Sequence, residues 1–435
     1  MTAIDINHIK KIHFIGIGGI GMSALARLML HEKKVVSGSD RELTPITKAL
    51  DTEGVQIFGE QSTANITKDI ELVIYTEAIT EGSEGWNELQ QARSFDIPTV
   101  NYFEALGLVA NPYYLIAVAG THGKTTVTAM ITDVFEANEK DPTTIVGSLR
   151  AKTGSNYRAG KSKYAIVEAC EYKRDFLFLK PDILVITNLE HEHTDYYKDL
   201  AAVQSAFKEL VGQINEGGVV IANTKDPNVA PVLKGCAAKV IDYLEFVDLK
   251  LKLKQPGLHN RLNAAAALAV AKKEKLDMDT STEALEQFTG TWRRFEYKGE
   301  INGAVVYDDY GHHPTEIKAT LAGARELYPD RNIILVFEPH TYSRTASLFD
   351  AFAKVFADAD QVILLPIYAA RNENPHGVTS RELAVKALEY NDQVAFIKSY
   401  EEVVLQLINN VSSNDVVLVM GAGPIVNLTK LLLNK

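Results

Sequence analysis

Apolar runs and helically spaced apolar positions alternate along the whole chain. Ile12–Ile17 is a short run rich in β-branched residues that meets a glycine turn, and Met22–Leu30 then carries apolar residues at helical spacing. Val35–Val36 opens a second strand that ends at Asp40, Glu71–Tyr75 reads as a third and Thr99–Tyr102 as a fourth. A second unit begins near Asn111-Pro112. Its strand Tyr113–Ala119 runs into a glycine-rich turn and the helix Thr125–Ala137. Strands Tyr164–Glu168, Ile183–Thr187 and Gly218–Ala222 follow, and then the helix Asn263–Lys273. A third unit begins near Thr291, with strands Ala304–Asp308, Asn332–Phe337, Gln361–Leu365 and Asp415–Met420 separated by helices. Strand and helix in alternation predict parallel sheets, hence three α/β domains, at 1–109, 110–290 and 291–435. No repeat of 20–50 residues and no low-complexity segment interrupts this pattern.

Composition narrows the function classes. The 435 residues are 46% hydrophobic and 23% charged, the balance of an ordinary soluble protein with several cores. A formal net charge of −11 argues against a nucleic-acid binder, which needs a basic face for phosphate backbones. Cys170 and Cys236, the only two cysteines, lack metal-like spacing, so neither a disulfide framework nor a structural zinc is expected. The N-terminal residues carry no basic patch followed by an apolar run, and no stretch reaches about 18 uninterrupted apolar residues. The expected location is the cytoplasm, without membrane insertion.

Two glycine-rich turns carry the strongest chemical signals. Gly16-Ile17-Gly18-Gly19-Ile20-Gly21 matches G-x-G-x-x-G between a strand and a helix. Such a turn lets a diphosphate approach the helix N-terminus, whose free N–H groups favour anions. Asp40 stands after the second strand, where an acid would meet a ribose. The turn alone fits NAD, FAD or UDP, and equally a tight βα turn with no ligand. Gly120-Thr121-His122-Gly123-Lys124-Thr125-Thr126 resembles a phosphate loop, shortened because Val118 stands where the first glycine of G-x-x-x-x-G-K-[ST] falls. Its backbone amides would wrap phosphates, Lys124 would neutralise their charge, and a threonine hydroxyl would meet Mg²⁺.

Three further groups stand at predicted strand or helix ends. Glu168 and Glu171 follow one strand, and Glu190, Glu192, His193 and Asp195 follow another. Any one of these is commonly a solvated loop residue, but together, downstream of a phosphate loop, they favour a metal bound to phosphate. His259-Asn260-Arg261-Leu262-Asn263 opens an alanine-rich helix; asparagine caps helices, and the same residues suit adenine recognition. In the third unit, Arg293-Arg294-Phe295, the run Asp308–Glu316, the run Glu338–Thr345 and Gly421-Ala422-Gly423 gather histidines, tyrosines and arginines at strand ends. That grouping reads as a site.

The order G-x-G-G-x-G, G-T-H-G-K-T-T, E-A-x-E, H-N-x-x-N, R-R-F, D-D-Y-x-H-H-P-T-E, P-H-x-Y-x-R-T and M-G-A-G resembles the Mur ligases along the entire chain. The resemblance implies three domains: a Rossmann-like UDP-sugar-binding domain, a phosphate-loop ATPase-like centre, and a smaller Rossmann-like domain that closes over ATP and contacts an amino acid. The glycine loop and Asp308–Pro314 point, within the family, to joining L-alanine to UDP-N-acetylmuramate with ATP and Mg²⁺. Gly16, Gly18, Gly19, Gly21 and Asp40 would then serve the UDP-sugar. Gly120, Thr121, His122, Gly123, Lys124, Thr125 and Thr126 would hold the ATP phosphates, with Thr125, Glu168 and His193 as metal ligands. His259, Asn260 and Asn263 would lie near adenine, and Arg293 or Arg294 would reach the phosphates. Tyr310, His312, His340 and Arg344 would line the amino-acid site, with His340 as a base for the amine.

The chain departs from the usual family pattern at four places. Cys170 replaces the acid of E-A-D-E, and His191-Glu192 replaces the A-D before His193. Glu60 follows Gly59 where histidine is frequent, and Thr341 follows His340 where arginine is usual. Other readings are a nicotinamide oxidoreductase, which leaves the phosphate loop unexplained, and a non-catalytic nucleotide sensor, against which Lys124, Glu168 and His193 argue. A third is a ligase that attaches a preformed peptide to the same sugar.

Overall fold

The computed structural model describes residues 4–194, 196–369 and 377–433. Asp195 therefore lies outside the described residues. The chain divides into two compact units. One comprises Met1–Glu190, Val203–Phe246 and Ala265–Leu285, and the other His191–Ala202, Val247–Ala264 and Glu286–Lys435.

The first unit holds two sheets. Strands β1 (Lys11–Ile15), β2 (Val35–Ser39), β3 (Gln56–Phe58), β4 (Leu72–Tyr75) and β5 (Thr99–Asn101) form a parallel sheet in the order β3-β2-β1-β4-β5. The chain reverses direction of winding at β1, so the glycine turn after Ile15 opens at the switch point, where ligands of open α/β sheets bind. Ile12, Phe14 and Ile15 are fully buried in β1, and such side chains stabilise a fold by about 1.5–3 kcal/mol each.

The second sheet contains β6 (Tyr114–Ala119), β7 (Thr143–Arg150), β8 (Ser155–Arg158), β9 (Tyr164–Glu168), β10 (Ile183–Ile186), β11 (Val219–Ala222) and β12 (Lys239–Asp242). Its order is β12-β11-β10-β6-β9-β7-β8, parallel except for the hairpin of β7 and β8. Here β6 is central, and the carboxyl ends of β9 and β10 flank the turn that follows it.

The second unit contains β13 (Glu296–Ile301), β14 (Ala304–Asp309), β15 (Asn332–Phe337), β16 (Gln361–Leu364), β17 (Val394–Phe396) and β18 (Asp415–Met420), ordered β13-β14-β18-β15-β16-β17. Only β13 is antiparallel to its neighbour. Two apolar layers, one around Phe337, Phe352 and Phe356 and one around Ile363, Leu407 and Leu428, cover its faces.

All the predicted strands are present, and most differences fall at edge strands and caps, with β7, between β9 and β8, the exception. The pattern misses β3, β7, β8, β12, β13 and β17. Edge strands such as Glu296–Ile301 carry polar residues on a wet side and show no continuous apolar run. The predicted strand Thr99–Tyr102 stops at Asn101, which caps the helix Tyr102–Ala110 in a capping box with Glu104. The alanine-rich helix starts at Leu258 and not at Asn263, so both asparagines lie inside it. Among the described residues, no helix is long and apolar enough to cross a membrane.

Candidate active site

The phosphate-loop turn is built by backbone geometry and by β10. Gly120 and Gly123 adopt φ of 136° and 85°, where a side chain is strained. A Cβ on Gly120 would also collide with the hydroxyl of Thr187. Thr121 donates its amide to the carbonyl of Asn188 at 3.0 Å, and His122 donates to Asn188 Oδ1 at 2.9 Å. Thr187 Oγ1 and Asn188 Nδ2 return hydrogen bonds to the His122 carbonyl at 2.6 and 3.0 Å. The loop is thus pinned to the end of β10. The helix Lys124–Ala137 begins next, and its first backward bond is Val127 N–H to Gly123 at 2.9 Å. The preceding amides, Gly123 to Thr126, form the helix N-terminus that anions favour.

Lys124 curls back over this turn. Its Nζ donates to the carbonyls of Gly120 (2.6 Å) and Thr121 (3.0 Å) and pairs with Glu171 at 2.9 Å. Burial alone would lower its pKa, but the carboxylates of Glu171 and Glu168 outweigh that and hold the ammonium charged. Thr125 Oγ1 donates to Glu168 Oε1 at 3.0 Å, and Gly147 N–H donates to Glu168 Oε2 at 2.8 Å. Gly147 has to be glycine for this approach, because a Cβ there would sit 2.5 Å from Glu168. A hydroxyl beside a carboxylate is a hard-oxygen donor pair of the kind Mg²⁺ prefers. Burial pushes the Cys170 thiol up to about 12, so this position adds no negative charge where the usual pattern has an acid. His122 Nε2 lies 3.6 Å from Glu190.

The first glycine turn is tied down differently. Gly16 and Ile17 donate their amides to the Ser39 carbonyl at 2.8 and 3.0 Å, and Gly19 donates to Gly16 at 3.3 Å. Gly18 N–H donates to Asp40 Oδ2 at 2.8 Å, and Asp40 Oδ1 accepts from Glu42 N–H at 3.3 Å. Asp40, expected at a ribose, thus spends one oxygen bracing the turn and the other on its own following loop. The amides of Ile20, Gly21 and Met22, which open the helix Ile20–His31, precede its first backward bond, and Gly19 offers them no side-chain cap. Gly21 is packed beneath Tyr102: a Cβ at Gly21 would lie 2.5 Å from the phenol Cζ and 2.6 Å from Oη. Burial, helped by the Glu168 carboxylate, pushes the Tyr102 pKa up.

The second unit gathers most of the remaining predicted residues. Arg293 is buried: its Nε donates to Asp308 at 2.9 Å, and its other nitrogens donate to the carbonyls of Gly421 (2.6 Å) and Gly423 (3.2 Å). Its guanidinium is an internal brace. Arg294 keeps 29% of its side-chain surface, 3.5 Å from Glu316, and of the two it is the one able to meet a ligand. Both guanidinium groups lie over the Tyr310 ring, at 5.4 and 5.3 Å. Asn260 donates to the Pro256 carbonyl (2.9 Å) and accepts from Asn263 (3.3 Å), so part of the adenine-type signal is spent inside the helix. Burial and Arg294 pull His259 down to about 4.

Arg344 and its neighbours make another polar cluster of this unit. Arg344 donates through Nε and Nη2 to Glu192 Oε1 at 3.0 and 2.8 Å, and through Nη1 to the His340 carbonyl at 3.1 Å. His340 Nδ1 lies 3.2 Å from the same Nη1, so it accepts from the guanidinium. The expected base therefore has this nitrogen occupied. His312 Nδ1 lies 3.1 Å from the Tyr310 carbonyl, and burial lowers its pKa to about 4, so the ring is neutral near pH 7. Burial works to raise the Glu192 pKa, but the Arg344 guanidinium outweighs it and keeps the carboxylate ionised. Thr341, between His340 and the helix Tyr342–Ser347, has φ 68° and ψ 141°, a region costly for a β-branched residue. Its amide is held by Tyr368 O at 2.9 Å and its carbonyl by the Thr345 hydroxyl at 2.7 Å. His193 also lies in this unit, with φ 53°, its amide bonded to Glu192 Oε1 at 3.0 Å.

Sequence reasoning did not single out Asn188 or Tyr102, and it read Glu192 only as one of the acids near a phosphate-bound metal, not as the partner of Arg344. Neither Asn188 nor Tyr102 belongs to a motif that could have flagged it.

A phosphate loop with a lysine and paired carboxylates, on doubly wound sheets, defines an enzyme that handles nucleotide phosphates. Three family models match the chain: Mur ligase family, catalytic domain, over residues 11–114; Mur ligase middle domain over 118–245; and Mur ligase, glutamate ligase domain, over 293–423. The chain belongs to the Mur ligase family. It is 39% identical to UDP-N-acetylmuramate--L-alanine ligase of Agathobacter rectalis over 463 residues, covering 100% of both chains. The enzyme of the same name from Clostridium kluyveri is 39% identical, with 98% of each chain covered. Among solved structures, UDP-N-acetylmuramate-alanine ligase from Thermotoga maritima matches with a TM-score of 0.81 and 29% identity over 98% of this chain and 99% of that one. The murein peptide ligase of Psychrobacter arcticus shares the fold, with a TM-score of 0.72 at 24% identity.

Proposed function

We propose that this chain joins L-alanine to the lactyl carboxylate of UDP-N-acetylmuramate at the expense of ATP, making a precursor of peptidoglycan. The observation that carries the reading is the pinned turn Gly120–Thr126, with Lys124 over it and Glu168 and Glu171 beside it, in a chain similar over its full length to L-alanine-adding ligases. We assign 1–109 to the UDP-sugar, 110–290 to ATP and 291–435 to the amino acid.

A carboxylate resists attack by an amine because oxide is its leaving group. Transfer of the γ-phosphoryl group of ATP to the lactyl oxygen replaces oxide with phosphate. The amine nitrogen then attacks the acyl carbon, the C–O bond to phosphate breaks, and the amide, ADP and phosphate result. The Gly123–Thr126 amides and Lys124 position the phosphates and match the charge that moves during transfer. Thr125 and Glu168 offer oxygens to Mg²⁺, with His193 as a further ligand by motif position. The ion would neutralise phosphate charge when bound. The first glycine turn holds the diphosphate of the sugar nucleotide at the helix that starts with Ile20. Neutral His312 is better arranged than His340 to take the amine's proton, since the Nδ1 of His340 faces Arg344. ATP and nucleotide sugars are cytoplasmic pools, and the reaction belongs there.

Phosphate release by the purified chain, given ATP, Mg²⁺ and UDP-N-acetylmuramate, tests this. Alanine should support release well above glycine, serine or a tripeptide. Release with the tripeptide alone would convert the reading to a peptide-recycling ligase. Release independent of the sugar nucleotide would remove it.

A further inference from the structure

Glu192 uses one carboxylate oxygen and leaves the other idle. Its side chain is 9% exposed. Oε1 accepts from Arg344 Nε, Arg344 Nη2 and the His193 amide. Oε2 is buried and, among the described residues, receives no hydrogen bond. A buried anionic oxygen without a donor is costly, and native proteins rarely leave one unless something binds there. Arg344 is nearly spent as well. Its Nε, one Nη2 hydrogen and Nη1 are engaged by Glu192 and by the carbonyl and ring of His340, which leaves an Nη2 hydrogen beside the Glu192 carboxylate.

We infer that Glu192 Oε2 receives the α-ammonium group of the incoming amino acid while the remaining Arg344 donor takes its α-carboxylate. A free anionic acceptor next to a free cationic donor is the complement of a zwitterionic head group. Neither Glu192 nor Arg344 has to leave the other for this to happen. The opposite arrangement, in which Glu192 merely stands in for the substrate carboxylate and is displaced by it, would strand a buried ionised carboxylate without its cation. The pair therefore explains how one arginine suffices where Thr341 supplies no second one. Glu192 is here a binding residue for the nucleophile. The inference rests on the amino-acid ligase reading.

Glu192→Gln tests it. Glutamine keeps the oxygen that Arg344 needs and replaces the idle oxygen with an NH₂ donor that repels an ammonium group. The KM for L-alanine should rise by roughly tenfold or more, equivalent to about 1.4 kcal/mol, with the KM values for ATP and UDP-N-acetylmuramate within about twofold of wild type. Glu192→Asp should recover part of the loss. Competition supplies a second readout. L-lactate, which has the carboxylate but no ammonium group, should bind wild type far more weakly than alanine and bind Glu192→Gln about as well as alanine does. An unchanged alanine KM would mean that Oε2 holds water or nothing, and a lowered KM would mean that Glu192 masks Arg344; either overturns the proposal. If wild type itself releases no phosphate in response to any amino acid, the ligase reading falls, and this inference falls with it.

Discussion

Two glycine turns, each after a central parallel strand and before a helix, open within one unit and end in different chemistry. In both, glycine reaches positive φ: Gly16 at 82° and Gly123 at 85°. In both, the early amides are tied to the neighbouring strand's end, and those at the helix start precede the first backward bond of the helix. The side chains around them differ. The turn at Gly120 carries Lys124, Thr125, Glu168 and Glu171. At the turn at Gly16, an aspartate braces the backbone and a tyrosine ring covers the helix start. A diphosphate that only has to be held can rely on backbone dipoles, whereas a phosphoryl group in transit needs a mobile cation and metal ligands. Backbone shape alone says "phosphate"; the side chains say whether the phosphate reacts.

Substitutions in the two turns should separate these roles. Lys124→Ala should have the largest effect, lowering ligation on the order of 10²–10³-fold or more while leaving UDP-N-acetylmuramate affinity, read by calorimetry, nearly intact. Comparable losses in both would erase the contrast. Glu168→Gln should lower activity by at least about tenfold and shift the Mg²⁺ titration to higher concentration, because one anionic oxygen is lost. An unchanged titration would take Glu168 out of the metal site. Gly21→Ala should raise the Kd for the UDP-sugar several-fold by driving a methyl group into the Tyr102 ring, with the KM for ATP little changed. Asp40→Asn should do least. Its remaining carbonyl still accepts from Gly18, so weakening of about 1 kcal/mol or less is expected, and a larger loss of sugar binding would give Asp40 a direct ligand contact after all.

How much of this was legible before folding depended on distance along the chain. The turn Gly120–Thr126 is one contiguous run, and its residue types leave few uses for a lysine. Its brace is not contiguous: Asn188 comes from 66 residues away and has no motif of its own. Arg344 was visible as a cation at a strand end, but its partner Glu192 is 152 residues distant, so the idle oxygen had no signature. Arg293 and Arg294 look alike in sequence and part only in the fold, where one is 3% and the other 29% exposed along the side chain. The three α/β sheets were readable because interior parallel strands are buried on both faces and appear as unbroken apolar runs.

Thr341 adds a dynamic consequence. Its backbone is held in an unfavourable basin by Tyr368 on one side and Thr345 on the other, with His340 before it and Arg344 one helical turn after it. A segment clamped in this way does not loosen residue by residue; it stays seated or escapes as a piece. In relaxation measurements the side chains of His340 and Arg344 should therefore exchange with one common rate, in the microsecond-to-millisecond window of local rearrangements. Thr341→Gly removes the strain that opposes seating and should slow or quench that exchange at both positions together.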